Sequence, residues 1–545
     1  MERTFNLADL FEVVAQAVPE RIAFICGANQ LTFRALDERA TRLASALSAR
    51  GVGRGDNVGL QLYNCAEYLE TFFACCKIGA VPTNINYRYV ADELEYLFKS
   101  LDLKVLVYGA DFVQEVSTVA PRVPSLAMLV QVGQAVAPEK ALGYEALLYG
   151  GSDQLTDPLR SDNDLVLLCT GGTTGLPKGV MWPHRSLFMG ALGGGGIYFR
   201  RPPVATPQEL AQLVVSAPPM RFLAIAPLMH AAALWSSLIS LYSGHTVVVN
   251  DQHTFDAEHI LDLVERDGVN VVSVVGDSMV LPLVQALEAH PGRWKLDHLR
   301  IFGNGGALFS DHFLPRIQAI LPQIVFSNGM GSSETGVVGG GVKPSSGEGF
   351  MVLPARADLA VIDSDMRIVS TPGSHGILAR TGCTPVGYYG DALKTAQTFV
   401  TVDGRLWVLS GDNARIDGDG NIVVLGRGSQ CINTGGEKVF PEEVEEAARR
   451  YGAIADVLVV GVPDERWGQK VTAVVQLSPD QQFDQAEFER ICRAHLSGYK
   501  VPKAVVLTPK VQRSPAGKAD YRWAKDFALA QATANATANA ATAAE

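Results

Sequence analysis

The chain has 545 residues, 47% of them apolar and 19% charged, and a formal net charge of −11. That length exceeds what one hydrophobic core organises, so two or more domains are expected, and the composition excludes a disordered chain. The acidic balance, with no Lys/Arg-rich tract, argues against a nucleic-acid binder, and no apolar run reaches the roughly 18 residues that a membrane-spanning helix needs.

The first residues lack the basic, apolar and small-residue succession of a signal peptide. None of the cysteines Cys26, Cys65, Cys75, Cys76, Cys169, Cys383, Cys431 and Cys492 forms a C-x-x-C pair. Most sit among apolar neighbours, so buried free thiols in a reducing compartment, the cytoplasm, are expected.

Leu7, Leu10, Phe11, Val14 and Ala17 recur at helical spacing and predict a helix over 7–17. Residues 22–26 and 31–33 read as a strand pair about the turn 27–30, and 36–50 as an amphipathic helix closed by Gly51. Strands at 58–62 and 81–84 flank a helix through 66–78, and another strand follows at 128–132. This alternation is the pattern of parallel α/β layers.

The apolar run 165–169 is long enough for a buried strand, and it leads into Thr170, Gly171, Gly172, Thr173, Thr174, Gly175, Leu176, Pro177, Lys178 and Gly179. Glycine lets a backbone approach a phosphate closely, so amides, hydroxyls and one ammonium can converge on the same anion. The loop is not a Walker loop, because Pro177 precedes the lysine and Gly179 follows it.

The run Thr-Gly-Gly-Thr-Thr-Gly-Leu-Pro-Lys-Gly closely resembles the nucleotide-binding signature of the adenylate-forming superfamily, which contains acyl-CoA synthetases, adenylation domains of peptide synthetases and beetle luciferases. The tetraglycine 193–196 reads as a flexible or closely packed turn. An apolar run over 223–228 then leads to His230, where the resemblance implies a histidine between nucleotide and acyl pocket that positions the carboxylate or gates its tunnel. Ala231, Ala232, Trp235, Gly305 and Gly331 are acyl-pocket candidates, compatible with a hydrophobic acyl group.

Three further buried strands are expected at 269–275, 299–302 and 324–326, each leading into a polar or glycine-rich turn. Those turns are 276–278, 303–307 and 328–335, and they place Gly305, Gly306, Ala307, Gly329 and Ser332 among the nucleotide-site candidates. In the last, a carboxylate flanked by hydroxyls beside a phosphate loop suits a magnesium–triphosphate complex. It resembles the family's Tyr-Gly-x-Thr-Glu motif, which implies Glu334 on Mg²⁺, Ser333 near the phosphates and Asn328 near the adenine amine; Thr170 of the Gly/Thr loop is the other candidate ligand of the ion. Met330 stands where an aromatic residue commonly stacks on adenine.

Residues 376–389, ending in Gly387-Tyr388-Tyr389, resemble the next family segment, with Ile377 replacing a frequent Glu. In Ser410-Gly411-Asp412 the resemblance implies that Asp412 accepts hydrogen bonds from both ribose hydroxyls, and Arg427 contacts ribose or phosphate. The resemblance also implies a hinge at Ser429, places the loop of Gly435, Gly436 and Glu437 beside a pantetheine tunnel, and implies that Lys518, in Arg513-Ser514-Pro515-Ala516-Gly517-Lys518, binds the reacting carboxylate and α-phosphate.

The implied fold is α/β: a large N-terminal domain of layered α/β subdomains with a β-barrel-like portion, over 1–426, a hinge at 427–430, and a small mobile α+β domain over 431–526. Residues 527–545, rich in Ala, Thr and Asn, read as a disordered tail. The implied activity is acyl-CoA ligation with ATP, Mg²⁺ and coenzyme A, on a long-chain fatty or steroid side-chain acid. Loading of a separate acyl carrier protein is the alternative, followed by a luciferase-like oxygenase and a nucleotide-binding pseudoenzyme. A homodimer is left open.

Overall fold

The computed structural model describes the chain outside residues 1–2, 136–137, 139, 156–158, 171–176, 198–200, 307–312, 343–350, 428–431, 435–436, 465–467, 497, 514–518 and 543–545. Local signals fix most element boundaries. The first helix, Leu7–Ala17, is capped by Asn6. The second starts earlier than the apolar pattern alone suggests, at Phe33, because the Thr32 side chain accepts from the Ala35 amide at 3.1 Å.

Two eight-stranded sheets carry the large part of the chain. One runs in the order Gly336–Val342, Val325–Ser332, Ile301–Gly305, Val271–Val274, Arg221–Ala224, Thr246–Val249, Ile22–Cys26, Asn29–Thr32, and its inner strands are parallel. The other runs Gly387–Tyr388, Lys178–Pro183, Leu165–Thr170, Val81–Asn84, Asn57–Gln61, Val105–Gly109, Met128–Val132, Leu142–Gly143. Helices Leu7–Ala17, Phe33–Ser48, Ala66–Ile78 and Ala231–Tyr242 supply residues to one buried core shared with both sheets. Parallel strands buried on both faces read as continuous apolar runs, which is why they were visible in the sequence.

A third, seven-stranded antiparallel sheet contains Met351–Leu353, Ile422–Arg427, Arg405–Ile416, His375–Arg380, Leu359–Ile362 and Ile368–Val369, with Phe399–Val402 paired to Arg405–Ile416. It is the counterpart of the expected barrel-like portion, but among the described residues it stays open, with Met351–Leu353 and Ile368–Val369 at its edges. A fourth sheet, of five strands, lies wholly within the last part of the chain. It has its own core, in which Ile432, Val439, Val457, Val471, Phe488 and Val501 are buried.

Two expectations need correction. The turns at 303–307 and 328–335 are largely strand: Ile301–Gly305 continues through the glycines, and Val325–Ser332 turns only at 333–335 before pairing antiparallel with Gly336–Val342. Hairpin pairing satisfies the backbone groups that a free loop would expose. The tail expected to be disordered from 527 is instead helical over Tyr521–Thr542. Alanine is the best helix former, and the helix is tied down where Ala524 and Ala528 are buried against Leu458, Val460 and Val474.

The tetraglycine is a closely packed turn. Gly193, Gly194 and Gly195 all have positive φ, and a Cβ on Gly195 would lie 2.5 Å from Leu210. Among the described residues no helix is long and apolar enough to cross a membrane. The described cysteines are all free.

Candidate active site

Strands of both large sheets bring their carboxyl ends to one region, where an α/β fold exposes loops able to hold a ligand. Leu165–Thr170 enters the Gly/Thr loop and Lys178–Pro183 leaves it, paired antiparallel so that Thr170 faces Lys178. Gly171, Gly172, Thr173, Thr174 and Gly175 lie outside the described residues. The base of the loop is braced by Asn84, whose Oδ1 accepts from the Cys169 amide at 2.7 Å while its Nδ2 donates to the carbonyls of Cys169 at 3.2 Å and Met229 at 2.6 Å. One buried amide side chain therefore ties the phosphate loop to the residue before His230. Burial pushes the Cys169 thiol up to about 12, so it is a packing group and not a nucleophile.

His230 is the N-cap of Ala231–Tyr242. The turn before it is held by Asn64, which accepts from the Leu228 amide at 2.7 Å and donates to the Ala226 carbonyl at 3.3 Å. From this helix the buried Trp235 meets Trp182 edge to face, with ring centroids 6.0 Å apart. Trp182 in turn donates its indole N–H to the Ser333 carbonyl at 2.7 Å. The candidate acyl helix thereby touches the hairpin that carries Glu334.

That hairpin is fixed on every side. Gly331 pairs close to its partner strand, where a Cβ would come within 2.2 Å of the Gly336 carbonyl, and Gly336 closes the turn with φ +68°. Ser332 and Thr335 exchange hydrogen bonds across the turn at 3.0 to 3.2 Å. The guanidinium of Arg380, buried, donates through one nitrogen to the carbonyls of Gly190, Thr335 and Val337 at 2.8, 2.7 and 2.8 Å. At the tip Tyr388 donates to Glu334 Oε1 at 3.0 Å. Tyr388 belongs to the short strand Gly387–Tyr388, which pairs with Lys178–Pro183 opposite Val180. Its sequence neighbour Asp391 forms an ion pair with Lys178, and that contact holds the Asp391 carboxyl below the usual carboxylate range.

On the nucleotide side Asn304 and Asn328 are register partners in adjacent parallel strands. Asn304 Oδ1 accepts from the Gly276 amide at 2.8 Å, so its Nδ2 is the donor to Asn328 Oδ1 at 2.7 Å. Asn328 Oδ1 is thus an acceptor with a second lone pair, which suits an exocyclic amine. Gly329 sits beside Gly305 in the same register. A Cβ at Gly306 would lie 3.8 Å from Ala232, so the glycine strand end abuts the helix of Trp235. Met330 is partly buried and packs on the core of the third sheet with Val338 and Leu353.

Asp412 is buried in the long strand Arg405–Ile416, not in a solvated turn, and its amide donates to Ser410 Oγ at 2.9 Å. Arg427 is its register partner in Ile422–Arg427. Ala307, Ser429, Gly435, Gly436 and Lys518 lie outside the described residues, whereas Glu437 opens the strand Glu437–Val439. The two ends of the lysine segment are joined by a bridge between Arg513 and Ala519, and Arg513 grips Asp456 bidentately at 2.7 and 2.8 Å.

Residues 11–389 match the model of the AMP-binding enzyme family, and residues 443–518 match the AMP-binding enzyme C-terminal domain. The chain belongs to the AMP-binding enzyme family. It is 39% identical to the medium-chain acyl-CoA ligase Mig of Mycobacterium avium, over 96% of this chain and 98% of that protein. It is likewise 39% identical to the 3-oxocholest-4-en-26-oate–CoA ligase of Rhodococcus rhodochrous, over 96% of this chain and 95% of that protein. Among solved structures the anthranilate CoA ligase AuaEII, in complex with anthranoyl-AMP, superposes with a TM-score of 0.82 at 20% identity, over 98% of this chain and 99% of that one, which establishes the shared fold.

Asn84, Asn64, Trp182, Arg380 and Asp391 were not singled out by sequence reasoning. All five act on backbone carbonyls, amides or another side chain, and no motif spacing announces such roles.

Proposed function

We propose that this enzyme activates a hydrophobic carboxylic acid, of the medium- to long-chain fatty or steroid side-chain class, as an acyl-adenylate and then transfers the acyl group to coenzyme A. The observation that carries the reading is near-full-length identity of 39% to ligases named for such acids. In the first half-reaction a carboxylate oxygen bonds to the α-phosphorus of ATP as the bond to the β-phosphate oxygen breaks and pyrophosphate leaves. In the second a thiolate attacks the acyl carbon and AMP departs.

The first step joins two anions, so its barrier falls when fixed positive charge and hydrogen-bond donors face the phosphates. Lys178 and the amides of the Gly/Thr loop hold the departing phosphates. Lys518 binds the reacting carboxylate and α-phosphate. Asp412 accepts from the ribose hydroxyls with Arg427 beside it, and Asn328 accepts from the adenine amine. His230, at the start of the Trp235 helix, orients the carboxylate, and Ala231, Trp235 and Gly331 border the acyl chain.

Magnesium fits the donors present. Glu334 is a hard oxygen ligand on a rigid turn, and Tyr388 uses only one of its acceptor positions. Among the described residues no group of three or more His, Cys, Asp or Glu forms a protein cage, which matches an ion held by one carboxylate and substrate phosphates. When bound by Glu334 and Thr170, the ion supplies positive charge to the triphosphate.

Rotation about Ser429 exchanges Lys518 for the loop of Gly435, Gly436 and Glu437, which admits the thiol. Ser429→Pro is expected to preserve adenylate formation and suppress thioester formation. The free cysteines support a reducing compartment, the cytoplasm.

The test is ATP- and Mg²⁺-dependent AMP formation with short, medium, long-chain and steroid acids, with and without coenzyme A, on the native protein and Lys518→Ala. Turnover restricted to hydrophobic acids and dependent on coenzyme A and Lys518 is the expected result. Adenylate formation without coenzyme A turnover would assign a carrier protein as acceptor instead.

A further inference from the structure

Within the active-site framework one contact has no part in the scheme above: the ion pair between Lys178 and Asp391. Lys178 is the ammonium of the Gly/Thr loop, and Asp391 is an anion in direct contact with it, so any phosphate bound through Lys178 competes with Asp391 for the same donor.

The aspartate is held in place by structure of its own. It is the N-cap of Ala392–Thr398, where its Oδ1 accepts from the Lys394 amide at 2.8 Å and its other oxygen, Oδ2, meets Lys178. Its carbonyl accepts from Thr395 Oγ1 at 2.7 Å, and the same Oγ1 accepts from the Tyr388 amide at 2.9 Å. Gly387 is required here, since a Cβ would lie 2.8 Å from Thr395. Tyr389 adds an amide hydrogen bond to the Gly179 carbonyl at 2.8 Å, next to the lysine. The segment is therefore stapled to the strand that starts at Lys178, and the carboxylate cannot drift away from it.

We propose that Asp391 is a positioning residue that acts as an exchange partner for Lys178: the triphosphate displaces its carboxylate on binding, and the carboxylate reclaims the ammonium as pyrophosphate leaves. This rests on the reading of Lys178 as a phosphate ligand. A built-in anionic competitor raises the energy of bound ATP and bound pyrophosphate alike, because both use the lysine. It keeps Lys178 extended at the mouth of the loop and hastens the departure of a product carrying several negative charges. The cost is weaker ground-state binding of ATP.

Asn and Ser cap a helix as well as Asp does, so Asp391→Asn and Asp391→Ser remove the charge and keep the cap. The measurements are KM for ATP and the inhibition constant of inorganic pyrophosphate, on the wild type, both variants, Lys178→Ala and the double variant Lys178→Ala/Asp391→Asn. Charge removal is expected to lower both constants by about two- to fivefold at low ionic strength, with the difference shrinking in high salt. In the Lys178→Ala background the same change is expected to do nothing. Unchanged or higher constants in both capped variants, with Lys178→Ala weakening ATP and pyrophosphate, would overturn the exchange and leave the phosphate role of Lys178 standing. Lys178→Ala that left both constants unchanged would instead remove the phosphate role, and the exchange with it.

Discussion

Tyr388 and Glu334 are 54 residues apart in sequence, and the phenol of one donates to Oε1 of the other at 3.0 Å. The backbone on either side of Glu334 is pinned by Trp182 and Arg380, so the phenol is what restrains the remaining side-chain torsions of the carboxylate. A hydrogen bond to a charged group contributes about 1.5–3 kcal/mol. Tyr388→Phe keeps the ring, which meets Phe399 edge to face at 5.9 Å. It is expected to leave the melting temperature nearly unchanged while raising the Mg²⁺ concentration for half-maximal adenylation by roughly tenfold. Titration of adenylate formation against Mg²⁺ at saturating ATP measures this, and an unaltered Mg²⁺ curve would assign the phenol a packing role only.

Arg380 holds three carbonyls with one nitrogen, from Gly190, Thr335 and Val337, while Asp358 lies 3.5 Å from its Nε. Removing a buried donor leaves its acceptors unpaired at about 1–3 kcal/mol each. Arg380→Ala is expected to destabilise the protein by roughly 3 kcal/mol or more. Arg380→Lys recovers only part of this, because the shorter side chain does not carry its ammonium to the Nη1 position and that ammonium is more strongly hydrated. Chemical denaturation of both variants gives the order, and equal stability of Lys and Arg would show that charge alone suffices.

The buried strands of the two large sheets were legible where burial writes a continuous aliphatic run, as in Leu-Val-Leu-Leu at 165–168. Glu334, Asp412 and Lys178 are site candidates because the separate motifs that carry them stand in family order along the chain. The strand character of Gly303 to Gly305 and of Asn328 to Ser332 was not, since glycine has low strand preference and only the lateral Asn304–Asn328 bond and the Gly336 hairpin make those segments pair. The segment 376–389 resembles its family counterpart, but the hold of Tyr388 on Glu334 is a tertiary contact that no local pattern encodes. The helix at Tyr521–Thr542 was not legible, because the low-complexity composition masks alanine's helix preference and the burial of Ala524 and Ala528 against Leu458 and Val460 is a tertiary contact.

Acid sensitivity follows from His184. Its Nδ1 accepts from the Leu7 amide at 3.2 Å, so the neutral ring carries its proton on Nε2. Burial lowers its pKa to about 3, and burial lowers that of His245 to about 4. In the unfolded chain both titrate near 6.5. The unfolded state thus binds more protons between those values, so stability is full above pH 6.5 and falls as pH drops towards 4 and 3. The slope is at most about 1.4 kcal/mol per pH unit for each histidine. His184→Asn, whose Oδ1 can accept from Leu7, is expected to flatten the urea-denaturation profile between pH 6.5 and 4.5 by up to one such slope. A profile parallel to wild type would mean that the ring is not the titrating group.

Asn84 makes the last prediction, because it joins two loops that must act together. Its amide accepts from the Cys169 amide and donates to the Cys169 and Met229 carbonyls, so it fixes the entry to the Gly/Thr loop relative to the entry to His230. Asn84→Ala removes all three bonds in a buried position and is expected to cost about 2–3 kcal/mol of stability. It should also lower kcat for adenylate formation about tenfold, since misplacing reacting groups by a fraction of an ångström is enough to do so. Asn84→Asp keeps the acceptor for Cys169 but turns a carboxylate towards the Met229 carbonyl at 2.6 Å, so it should be the more damaging change despite its closer shape. Single-turnover adenylate formation on both variants, with denaturation curves alongside, separates the two effects. If Asn84→Asp were as active as the wild type, the donor bond to Met229 would have no part in holding His230.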